Sequence, residues 1–237
     1  MVNLNSLPDP LLEEGIDVPQ YRSLGFLPVI GTSGDIRSSK FGGLPYLPEG
    51  IDAPKYKDQF LPLALQLDVS SLPDDAQQYL GLTKGHIQLF YSPELEEECD
   101  GWEHDNGGCS LVRYFENTGE HVPVENLASE FMERFIEKWE PFVDYMNAEE
   151  GDYYDNEKLM DAISGKFPVA KDKLMGSAYW VQSVEYSDCK KCGCQKVHVF
   201  HVESEQNLDF MFGDSGAGQL QQCPNCVTEF SFGWACC

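Results

Sequence analysis

Nine cysteines stand in the 237-residue chain, and seven of them lie between Cys189 and Cys237. Cys189-Lys190-Lys191-Cys192-Gly193-Cys194 is followed, 29 residues after Cys194, by Cys223-Pro224-Asn225-Cys226. Two C-x-x-C pairs supply four thiolates, the donor set of a closed tetrahedral site, because each pair wraps one side of an ion. Gly193 lets the chain turn so that amide N–H groups point at sulfur, and Pro224 stiffens the second turn. Zn²⁺ is the expected ion, being redox-silent and favouring four sulfurs. The expected ligands are Cys189, Cys192, Cys223 and Cys226. Four protein ligands leave no open position, so the expected role is structural. Lys190, Lys191 and Lys196 offset the negative charge of such a site. The spacing leaves three alternatives open: Cys194 in place of Cys192, an iron–sulfur cluster, and buried free thiols. Cys236 and Cys237 are spare.

No other constellation demands catalysis. Gly213-Asp214-Ser215-Gly216 looks like the nucleophile signature of chymotrypsin-type serine proteases, but none of the five histidines sits in a partner motif. It reads as a turn. His198 and His201 lie three apart on an expected strand, which puts them on opposite faces. His104, with Cys99, Glu103, Asp105 and Cys109, reads as an exposed polar loop. Gly31 to Gly34 and Gly42-Gly43 lack the Lys-Ser/Thr of a phosphate loop. No catalytic residue is assigned, and the chain is expected not to be an enzyme.

The elements that must position the cysteines are short strands. Leu61, Leu63, Leu65, Leu67 and Val69 alternate with less apolar residues at period two. His86 to Tyr91, Leu111 to Phe115, Tyr179 to Val184, Val197 to Glu203, Leu208 to Phe212 and Thr228 to Trp234 are further candidates. Leu127, Phe131, Phe135, Trp139, Phe142 and Met146 recur at helical spacing, with Asn126 as cap and Pro141 as a kink. A second helix is expected from the cap Asp155 through Leu159, Met160 and Ile163 to Gly165, with a solvated acidic loop, Glu149 to Asn156, before it. The turn Ser39-Lys40-Phe41-Gly42-Gly43-Leu44-Pro45-Tyr46 can be laid on Asp172 to Tyr179, a faint internal repeat.

The expected fold is therefore α+β and β-rich: two related half-domains of short antiparallel strands with a helical acidic insert. The expected division is an N-terminal arm at 1–20, a first half at 21–120, the insert at 121–165 and a second half with the four-cysteine site at 166–237.

Charge narrows the function classes. Sixteen Lys and Arg face forty Asp and Glu, a net charge of −24, and the stretch from Glu94 to Asp161 alone holds 21 acidic and 4 basic residues. Phosphate backbones and anionic lipid repel such a chain. No apolar run approaches membrane-spanning length. Met1 to Pro19 carries Glu13, Glu14 and Asp17 and no cation, so no secretory signal is expected. A cytoplasmic location follows, with no direct nucleic-acid or membrane partner.

Ser39-Lys40-Phe41-Gly42-Gly43-Leu44-Pro45-Tyr46-Leu47-Pro48 resembles the S-K-x-G-G-x-P signature of the bacterial YwqG-like family. The likeness extends to Leu65-Gln66-Leu67-Asp68, Gly85 to Tyr91, Tyr179 to Gln182, Phe212 to Gly216, Gln222-Cys223-Pro224 and Phe230 to Cys237. It covers roughly residues 20 to 115 and 166 to 237. The chain departs from the pattern at Gly176-Ser177-Ala178, and at Cys226, which stands where the family often has His. Related domains occur in programmed-cell-death-2-like proteins, which resemble dedicated chaperones of a basic ribosomal protein. The resemblance implies binding rather than turnover. Together with the charge, it leads to a zinc-binding protein that docks a basic protein partner through its acidic surface, as a chaperone or an immunity protein would. Glu96, Glu97 and Glu98 are expected to contribute to that surface. The alternative is an enzyme with a site in a cleft between the two halves.

Overall fold

A computed structural model describes residues 1–98, 109–116, 119–125, 127 and 129–237, apart from the side chains of residues 96–98. Among these residues the chain runs α1 (Pro10–Glu13), β1 (Arg22–Ile30), β2 (Lys40–Phe41), β3 (Lys55–Tyr56), β4 (Gln59–Phe60), β5 (Leu63–Asp68), α2 (Asp74–Leu80), β6 (His86–Tyr91) and β7 (Ser110–Phe115). It continues through β8 (Arg134–Tyr145), α3 (Ala148–Gly151), α4 (Glu157–Ile163), β9 (Lys173–Met175), β10 (Val197–Glu203), β11 (Ala217–Gln222) and β12 (Phe230–Ala235). β3 and β4 form a small hairpin, and the other ten strands make one antiparallel sheet in the order β12-β11-β10-β9-β1-β8-β2-β5-β6-β7. The outer strands β12 and β7 touch, so the sheet nearly closes on itself.

The apolar face of that sheet is the main core. Phe41, Leu65 and Leu89 from one side meet Phe200, Leu220 and Phe232 from the other. Each such side chain contributes about 1.5–3 kcal/mol on burial, and exposed ion pairs add little by comparison. A second, smaller cluster packs Leu11, Val143, Tyr145, Leu159 and Ile163 where α4 meets the N-terminal segment.

The expected helix from Leu127 to Met146 is corrected: Arg134 to Tyr145 is the longest strand. Phe131, Phe135 and Trp139 lie four apart, and an even separation suits one face of a strand as well as one face of a helix. Pro141 has no N–H to give a helix, while Ile136 and Val143 are β-branched. β1 decides the matter by pairing along the strand, from Arg22 opposite Tyr145 to Ile30 opposite Ile136. Asn126, the expected cap, lies outside the described residues. The second helix exists as α4, capped by Asn156, whose side chain accepts from Leu159 N at 3.1 Å, and not by Asp155. α3 falls where an acidic loop was expected. The helical acidic insert is thus a long strand followed by two short helices.

Strand expectations also change. Tyr179 to Val184 and Leu208 to Phe212 are not strands, and β1 and β11 were not anticipated. β11 reads Ala-Gly-Gln-Leu-Gln-Gln, a poor strand former by composition. It is buried along its whole length because β10 and β12 pair with it on either side.

Strands from both expected halves share one sheet and the main core. What recurs is a set of contacts around the Lys40 and Lys173 turns. Gln88 Nε2 donates to Tyr46 O and Gln219 Nε2 to Tyr179 O, both at 2.8 Å. Asp68 N donates to Ser39 Oγ at 2.9 Å and Glu203 N to Asp172 Oδ1 at 2.8 Å. Lys40 Nζ meets Glu133 and Lys173 Nζ meets Asp144, both at 2.7 Å.

Candidate metal centre

The first cysteine pair sits on a tight turn leading into β10. Cys189 N donates to Cys194 O at 2.8 Å, and Gly193 N donates to Cys189 O at 2.7 Å. Gly193 has φ of +73°, a left-handed conformation that glycine adopts without a Cβ penalty. The second pair follows the last residue of β11. Cys223 N donates to Glu229 O at 2.9 Å and Glu229 N to Cys226 O at 2.8 Å, which closes the turn before β12. Cys226 N donates to Cys223 Sγ at 3.2 Å. Amide-to-sulfur bonds of this kind stabilise thiolate.

These two turns bring four sulfurs together. The Sγ atoms of Cys189, Cys192, Cys223 and Cys226 all lie within 4.8 Å of one another, and those of Cys192 and Cys223 are 3.4 Å apart. A tetrahedral zinc–thiolate site has Zn–S bonds of about 2.3 Å and hence S···S edges of about 3.8 Å. The donor set fits such an ion with little adjustment. Burial raises the Cys189 thiol, but the amides of Cys192 and Lys191 with the Cys223 and Cys192 thiols more than offset it and bring the group to about 7. Burial raises Cys223, and the neighbouring Cys192 raises Cys226. Cys189 and Cys223 are buried and Cys192 is exposed, so the cluster sits at the rim of the molecule.

Cys194 stays outside the four. Its sulfur accepts from Asn225 Nδ2 at 2.8 Å, a bond that ties one turn to the other. Lys191 lies 3.7 Å from Glu229, and Lys196 Nζ donates to Ser187 Oγ at 3.3 Å, so each has a partner other than sulfur. Cys236 packs against the main core and Cys237 is exposed. Cys109 is buried and disulfide-bonded, while Cys99, Glu103, His104 and Asp105 lie outside the described residues. Ser215 occupies an exposed turn at φ +56°.

The cysteine turns also reach the other side of the sheet. Gln222 Nε2 donates to Leu80 O at the end of α2 (2.9 Å) and to Val227 O (2.6 Å). Tyr79 of α2 donates to His198 O at 2.7 Å. The segment that a metal would clip is therefore docked on a helix more than a hundred residues earlier in the chain.

A buried polar array, missed in the sequence, lies next to it. His198 faces Gln221 across the β10/β11 pair, and His201 faces Gln219. A β-bulge between His198 and Phe200 inserts the extra residue. Gln219 and Gln221 are two apart on one face, so both histidines lie on that face; the expectation of opposite faces is corrected. His201 Nε2 meets Glu203 at 3.0 Å and its Nδ1 meets Gln219 at 2.8 Å. Burial pushes His198 well below the ordinary imidazole range, lowers His201 and lowers Lys173. The one sequence signal was the alignment of Lys173 with Lys40.

A family model described as a domain of unknown function (DUF1963) matches residues 39–221. The chain belongs to that family. No curated protein matches it. The DUF1963 match takes in Lys40, Lys173, Cys189 and Cys192 and stops short of Cys223 and Cys226, so the tetrathiolate set is read from this chain itself.

Proposed function

We propose that this DUF1963 chain is a non-enzymatic, cytoplasmic binding protein of YwqG-like kind, built from two related halves. Its structural Zn²⁺ fastens the C-terminal strands, and its acidic surface docks a basic protein, masking it in the manner of a chaperone or an immunity protein. The observation that carries this reading is the charge: forty acidic residues against sixteen basic ones. Complementary charge speeds encounter and sets register.

The cysteine geometry supports a structural rather than a catalytic ion. Bound there, zinc would supply cross-linking, since four chain sulfurs fill a tetrahedral shell. Cys189 and Cys192 would hold the turn before β10, and Cys223 and Cys226 the turn before β12. Asp172, His198 and His201, all shifted by burial, are enclosed in the molecule rather than presented to solvent, which supports the non-enzymatic reading.

Two measurements test the reading together. Purified protein should carry about one zinc per chain, lost in Cys192→Ser and Cys223→Ser. A labelled Lys/Arg-rich peptide should bind at low salt and lose at least about tenfold in affinity at high salt, as screened charge pairs do. Affinity indifferent to salt would overturn the acidic-docking reading.

A further inference from the structure

A groove of about 700 Å³ opens beside the Lys40 turn, between Gly43-Leu44 and the start of β8. Leu44 and Met132 line it, 40% and 63% exposed, and together give the groove an apolar floor beside its carboxylates. Phe135 forms part of its wall, and Asp35, Glu130 and Glu133 supply carboxylates.

Comparison of the two turns explains why the groove is open. At the second turn Asp144 is enclosed. It accepts from Lys173 Nζ (2.7 Å), Val169 N (2.9 Å), Ser177 N (3.0 Å) and Tyr145 N (3.0 Å). Lys173 Nζ also reaches Val169 O at 2.6 Å. At the first turn, among the described residues, the buried Lys40 has one acceptor, Glu133 Oε1, with its ammonium 5.6 Å from the Phe135 ring centre. The Glu133 side chain is 38% exposed. Glu130 is pushed up by burial and then by the charge of Glu94, so a nearby cation would relieve it.

We propose that this groove docks a short basic segment of a partner protein. A cationic side chain meets Glu130 and Glu133, and a neighbouring apolar side chain lies on Leu44, Met132 and Phe135. The occupant follows from charge. Lys40 is already paired, and the remaining charges that line the groove are negative. An acidic segment would be repelled, and so would a second copy bringing another net charge of −24. This inference rests on the acidic-docking reading and assigns it a place.

The test uses two labelled peptides, one with two central leucines flanked by Lys and Arg, the other with serines in place of the leucines. Each is titrated by fluorescence anisotropy against the full chain and two folded variants, their folding checked by thermal unfolding. Glu130→Lys with Met132→Ser alters the groove. Glu157→Lys with Leu12→Ser makes the same kind of change on α4 and α1. The leucine peptide should bind about tenfold tighter than the serine peptide, and the groove variant alone should erase that advantage. If the two peptides bind equally, or if both variants weaken binding alike, the groove is wrong and the acidic-docking reading survives. If neither peptide binds even at low salt, that reading falls and this inference falls with it.

Discussion

Asp172 and Lys173 are neighbours in the chain, both fully buried, and they meet burial in different ways. Lys173 keeps a carboxylate partner in Asp144, and removing one member of such a pair would strand the other charge. Among the described residues, Asp172 has no cation partner. Burial pushes it up to about 7 from the ordinary 3.8, against the bonds it accepts from Glu203 N (2.8 Å) and Asn207 Nδ2 (2.7 Å). With a folded value above the unfolded one, its contribution is fully present below pH 3.8 and is lost as pH rises through about 7. His198 and His201 pull the other way, since their lowered values favour the folded state as pH rises. Replacing Asp172 isolates its share. Between pH 4 and pH 7 the stability of Asp172→Asn relative to the parent should improve steadily as pH rises, measured by urea unfolding at each pH. A flat difference would mean that Asp172 ionises normally in the folded chain. At this scale the cysteines were legible, because C-x-x-C is a local signature. The histidine array was not, because a bulge in β10 reversed the facing that simple alternation implies.

At the scale of elements, the two turns depend on glycines in left-handed backbone. Gly176 has φ of +76°, and a Cβ there would lie 2.8 Å from Asp144 Oδ2. Gly165, just after α4, has φ of +72° with nothing within 4 Å of such a Cβ. Gly165→Ala should therefore cost about 1 kcal/mol from backbone strain alone. Gly176→Ala should cost at least about twice that, because the caged carboxylate must also move. Thermal unfolding of both variants measures the difference, and equal losses would show that the Asp144 cage yields freely. β5, β6 and β10 were readable as strands from their own alternation and β-rich composition. β8 was not, since its aromatic spacing fits two periodicities and only pairing with β1 separates them. β11 escaped because its Gln-rich composition carries no strand signal; Gln219, Gln221 and Gln222 instead spend their amides on Tyr179 O, Glu185 O and Leu80 O.

For the whole molecule, the ten-stranded sheet and its main core couple the cysteine turns to α2 and to the outer strands. Metal bound only to the folded chain stabilises it by about 2.7 kcal/mol at a free concentration one hundred times the dissociation constant. Chelation should therefore lower the melting temperature, and hydrogen exchange should rise most in the Cys223–Glu229 turn, with β5 and β6 least affected. Unchanged melting and exchange after removal of all metal would deny the ion a structural role. The amino-acid sequence by itself determined the net charge, the two cysteine pairs and several of the strands, because each depends on composition or on neighbours a few residues apart. Only the tertiary structure decided that the four sulfurs meet, that Arg134 to Tyr145 is a strand, that both histidines share a face and that one Lys turn is open while the other is sealed. Those outcomes rest on which distant strand pairs with which and in what register, and antiparallel pairing across a hundred residues leaves no local trace in the chain.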